Sequence, residues 1–125
     1  MSAPPDRQVA DFIRSTCRSV WTLELLCYLR NQSERAFSRE ELIAGLRASE
    51  VVVSQGLQAL GATGLVVSQA DDLVRYAPAS EELDRLSAAA EAMYVRNADA
   101  VRRMIVAAAN PGISAFANAF KFRSE

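Results

Sequence analysis

The chain has 125 residues, of which 50% are apolar and 23% charged, with a formal net charge of −1 and a pI near 5.5. Such a composition excludes a disordered chain and fits one folded domain with an appended element. The charge balance also removes the simplest argument for a nucleic-acid surface, because domains that grip a polyanion are usually basic.

There is no histidine. Imidazole acid–base chemistry, a Ser–His nucleophile and every His-containing metal site are therefore excluded. Cys17 and Cys27 are too few for a structural metal site. On one continuous helix they would stand about 15 Å apart, too far to bridge, so small reduced thiols are expected. Glu40 and Glu41 have no base, nucleophile or metal partner in the pattern and read as capping and surface charge. No enzyme activity, cofactor or metal is expected. The opening "MSAPPDRQ" lacks the basic-then-apolar pattern of a signal peptide, and no run of about 18 apolar residues offers a membrane span. A cytoplasmic protein is the expectation.

In chain order, residues 1–18 read as an N-terminal extension carrying a leading helix. Val9, Phe12, Ile13, Cys17 and Val20 recur at helical spacing. The polar "STCRS" breaks this run, and a second helix follows from about Ser19 to Arg30. Val20, Leu23, Leu26 and Cys27 would face inward there, with Trp21 and Tyr28 flanking as packing residues. Ser38 followed by Glu41 is a capping box opening a short helix with Leu42, Ile43 and Leu46 inward. "RAS" is a tight connection, and Ser49 caps the next helix. Val53, Leu57 and Leu60 define the buried stripe of that helix, and Gly61 and Gly64 punctuate its end. "LVVSQ" and "LVRYA" around "ADD" then read as a hairpin closed by Pro78.

Ser80, with Glu81, Glu82 and Asp84 behind it, opens one long helix over 79–110, stopped by "NPG". About 30 residues at roughly 1.5 Å each would span about 45 Å, more than the domain needs for its own core. Leu83, Leu86, Met93, Val101, Met104 and Ile105 are therefore candidate contacts to a symmetric partner helix, with packing back on the leading helix as the alternative. The tail, 111–125, carries Phe116, Phe120 and Phe122, which suit docking on that dimer or binding another protein better than firm membrane attachment.

Residues 19–78 resemble the winged helix-turn-helix family, closest in style to small bacterial regulators of the MarR and ArsR type. The resemblance rests on "SVWTLELLCYLR", "FSREELIAGL", "ASEVVVSQGLQALGATGLV" and "VSQADDLVRYAP", taken as scaffold helix, first motif helix, recognition helix and wing. It implies a mainly α fold with a small β-hairpin, here extended by the long C-terminal helix. It also implies a transcriptional regulator binding double-stranded DNA as a homodimer, with a protein–protein interaction module as the alternative. With Val53, Leu57 and Leu60 inward, the outward face of helix 49–61 holds Val51, Ser54, Gln55 and Gln58 as base-reading candidates. Glutamine pairs with the N6/N7 edge of adenine, and valine touches the thymine methyl. Relatives often carry arginine where Gln55 and Gln58 stand, so phosphate gripping falls to Arg39, Arg47 and Arg75 and to the helix starts at Ser38 and Ser49. Glu50, Asp71 and Asp72 oppose it.

Overall fold

The computed structural model describes residues 3–109; the expectations for the stop at Asn110–Gly112 and for Phe116, Phe120 and Phe122 lie outside the described residues. Pro5 precedes helix α1 (Asp6–Thr16), whose buried face is Val9, Phe12, Ile13 and Thr16. Proline suits this place because a helix start needs no N–H there. Cys17 leaves the helical conformation and ends α1. Ser19 then caps helix α2 (Val20–Arg30) by accepting the Thr22 N–H at 3.4 Å.

Helix α2 is the pillar of the molecule. It buries Leu23, Leu25, Leu26 and Leu29 and packs against α3, α4, α5 and α6 and the sheet. Two consequences of that central position escaped the periodicity: Leu25 and Leu29 are fully inside, whereas Trp21, expected as a packing residue, is 41% exposed. A helix touched on most sides shows no clean apolar stripe.

The capping box opens helix α3 (Arg39–Leu46). Glu41 N–H donates to Ser38 Oγ at 3.1 Å, and Ser38 N–H donates to Glu41 Oε1 at 2.9 Å. That backbone bond, followed by the ion pair with Arg35, holds the Glu41 carboxyl below its ordinary value of 4.5. Arg47 turns the chain in the left-handed region (φ 55°, ψ 41°), and Ser49 accepts the Val52 N–H at 3.2 Å to open helix α4 (Glu50–Thr63). Val53, Gly56 and Leu60 form the buried side of α4, with Leu57 partly buried against the core. At Gly56 α4 meets α2 closely: a Cβ there would lie 2.8 Å from Leu25 Cδ2. Gly64 alone ends the helix, at φ 84°; Gly61, read as a second stop, is an ordinary helical residue facing open space.

Strands β1 (Val66–Ser68) and β2 (Val74–Tyr76) pair antiparallel, Val66 with Tyr76 and Ser68 with Val74. A short 3₁₀ turn, Ala70–Asp72, joins them, with Asp71 and Asp72 both at positive φ. Phe37 adds a bridge on the far side of β2, exchanging two 2.8 Å backbone bonds with Val74. The fold is thus mainly helical with a small antiparallel sheet.

The C-terminal region differs from expectation. Helix α5 (Glu81–Arg96) and helix α6 (Ala98–Ala109) are separated at Asn97 (φ −150°, ψ 61°). The Asn97 N–H still closes α5 on Met93 O at 2.9 Å, while its carbonyl accepts the Val101 N–H at 3.2 Å and starts α6. The break folds α6 back so that α5 and α6 both pack on α1. Consequently Leu86, Val101 and Ile105 lie in the chain's own core, and Leu83, Met93 and Met104 are partly buried against it. Leu86, Val101 and Ile105 are thus closed to a symmetric partner helix, whereas Leu83, Met93 and Met104 pack on the core with part of their surface still exposed. The reason is the break itself, which lets a stripe too long for one straight contact close around α1. One contiguous buried cluster runs from Val9 through the α2–α4 leucines to Ile105.

Polar contacts tie α5 to the rest. Arg30 Nη1 donates to Glu91 Oε1 at 2.8 Å, and Tyr76 Oη donates to Asp84 Oδ1 at 2.6 Å. Burial, helped by the Asp84 bond, pushes the Tyr76 hydroxyl up to about 12. Cys17 and Cys27 are free, on separate elements rather than one helix. Burial pushes both thiols up to about 12, which leaves them poor nucleophiles.

Candidate nucleic-acid interface

The tight α3–α4 turn and the packing of Val53, Gly56 and Leu60 onto the core decide which side of α4 faces out. Val51 is 63% exposed, Gln55 and Gln58 are exposed, and Ser54 is half-buried. Val51, Gln55 and Gln58 stand at i, i+4 and i+7, so they form one row along the outer face. Three of the four are open to solvent, and Ser54 is partly covered by the protein's own chain. Within α4 the sole charged side chain is Glu50.

The flanking charges are mixed. Arg39 and Arg47 are exposed at the start of α3 and in the turn. A non-glycine residue in the left-handed region costs about 1 kcal/mol, so the backbone at Arg47 is mildly strained. Arg75 is half-buried on β2, its Nε buried without a hydrogen-bond partner. It lines an open groove of about 660 Å³ at the base of the hairpin with Ser33, Tyr76, Pro78, Glu81 and Asp84. Of the three arginines, it is the least free to reach outward. Arg35, between α2 and α3, is held by Glu41 and lies 4.1 Å over the Phe37 ring.

Ser38 and Ser49 both use their hydroxyls as helix caps. A phosphate at either helix start would meet the remaining first-turn N–H groups rather than the serine side chains. The acidic residues Glu50, Asp71 and Asp72 are exposed, the first at the head of α4 and the other two at the hairpin tip.

The expected residues are therefore split. Val51, Gln55 and Gln58 share one exposed row, Arg47 lies in the turn that presents it, and Arg39 stands at the far end of α3. Arg75 sits apart in the groove. What sequence reasoning missed is the Phe37 bridge, which ties the start of α3 to the hairpin; "AF" before the Ser38 cap was its only trace. Among the described residues no group of three or more His, Cys, Asp or Glu is placed to hold a metal, and no helix is long and apolar enough to cross a membrane. Compared with protein-family models, curated proteins and solved structures, the chain has no significant match.

Proposed function

We propose that this protein is a cytoplasmic DNA-binding regulator of winged-helix type that reads duplex DNA with the outer face of α4. The observation carrying this reading is the exposed row Val51, Gln55 and Gln58 on a helix held out by a tight turn beside a β-hairpin. In such folds the second helix of the pair enters the major groove and the hairpin lies over the backbone. Arg39 and Arg47 supply the phosphate contacts, with Arg75 a weaker third because its Nε is enclosed.

So few cations make binding weak for one protomer and only slightly salt-sensitive. Two phosphates neutralised correspond to a slope of log K against log salt of about −2, and a pair of protomers on one site to about −4. Fluorescence anisotropy of the full chain with mixed-sequence duplex, from about 50 mM salt upward, measures this. Absence of binding at the lowest salt, with the chain shown folded by circular dichroism, would remove the regulator reading.

A second reading, a winged-helix module contacting another protein, is favoured by the acidic residues Glu50, Asp71 and Asp72, which would face phosphates in a groove-docked pose. Phe116, Phe120 and Phe122 are further candidates for that contact.

A further inference from the structure

The composition of the α4 face sets which bases it can take. Guanine is most often read by arginine or lysine, bidentate to O6 and N7. Helix α4, "EVVVSQGLQALGAT", carries neither, and the nearest arginines in the chain are Arg47 before it and Arg75 well after it. What the helix exposes instead is an apolar side chain, Val51, 63% exposed, and two carboxamides, Gln55 and Gln58. A valine in water is poorly placed on solvation grounds but complements the thymine C5-methyl. Each glutamine complements the N6 donor and N7 acceptor of adenine.

The spacing bounds how many base steps the row can span. From Val51 to Gln58 the helix rises about 10 Å, matching about three base steps at 3.4 Å each. The valine stands in the first turn of α4, the end that approaches base edges when a recognition helix enters the groove. Glu50, the one side chain here that complements cytosine N4, precedes the row and is repelled by the backbone phosphates.

Resting on the duplex-binding reading above, we infer that α4 recognises a step of about three A·T pairs in the major groove, with Val51 on a thymine methyl and Gln55 and Gln58 on adenines. The selectivity is by hydrogen-bond pattern and methyl contact, not by charge.

The test uses the full chain and three duplexes of equal length at about 50 mM salt: mixed-order A·T, the same duplex with deoxyuridine for every thymidine, and G·C. Deoxyuridine keeps every hydrogen-bonding edge and removes only the methyl. Wild type binds A·T at least about tenfold tighter than G·C. It loses about threefold to fivefold on deoxyuridine, the worth of one buried methyl, whereas Val51→Ala loses little further on that exchange. Gln58→Ala shrinks the A·T to G·C ratio about tenfold. Because both positions are exposed, circular dichroism of the variants should match wild type.

Equal binding to A·T and G·C, or an equal deoxyuridine loss in wild type and Val51→Ala, overturns this inference and leaves duplex binding standing. Binding to none of the three duplexes by folded protein overturns both.

Discussion

Arg47 illustrates how one residue carries two opposed demands. Its left-handed backbone, φ 55°, is a glycine conformation, yet the residue there has a long cationic side chain in the turn before α4. Arg47→Gly should relieve the turn and raise stability by about 0.5–1 kcal/mol, since the left-handed penalty is removed but glycine loses more freedom on folding. The same change should weaken every duplex alike and lower the salt slope by about 1, because a phosphate contact carries no sequence information. Chemical denaturation and anisotropy on one preparation check the pair of signs. A variant both less stable and unchanged in binding would contradict the assignment. Val51 is the complementary case, an apolar side chain left 63% exposed, for which the proposed reading supplies a thymine methyl as partner.

At the scale of elements, the break at Asn97 matters most. It turns one apolar stripe into two helices, and α6 closes over α1 with Val101 and Ile105 buried. Ile105 is fully buried, at 0% exposure. Ile105→Ala should therefore cost about 2–5 kcal/mol, and the loss should not depend on protein concentration, because the contact lies within one chain. A midpoint that instead shifts with concentration would restore these side chains to an intermolecular role. The same packing warns against cutting the chain after Pro78. Such a truncation would strip Leu86, Ala90, Val101 and Ile105 from the buried cluster and uncover Val9, Phe12 and Ile13 of α1.

For the whole molecule, the proposed duplex binding asks how a nearly neutral domain would hold a polyanion. In that reading the two exposed arginines Arg39 and Arg47 would give weak contact, and pairing of two copies on one site would multiply it through effective concentration. With the apolar stripe folded inward, the large apolar side chain that α5 leaves outside is Val95, 80% exposed. If two copies meet there, Val95→Glu should convert a concentration-dependent dimer to a monomer in sedimentation velocity, with circular dichroism unchanged. A dimer that survives the substitution would move the contact elsewhere, and a wild-type monomer at all concentrations would leave a single chain to make the proposed duplex contact.

The sequence alone determined the local elements, because helix starts and turns are written in neighbouring residues. Ser38, Ser49 and Ser80 each cap the helix that follows them, Gly64 stops α4, and the branched and aromatic runs on either side of Ala70–Asp72 made the hairpin legible. The outward side of α4 followed too, since Val53 and Leu60 leave the opposite face exposed. Only the tertiary structure decided where apolar side chains go when more than one partner competes for them. Asn97 is a common helix-capping residue type, yet a stripe that runs on past it cannot reveal whether it stays straight for a second chain or folds over α1. The central placement of α2, the Phe37–Val74 bridge and the groove around Arg75 likewise depend on contacts between residues far apart in the chain, and no local pattern encodes these.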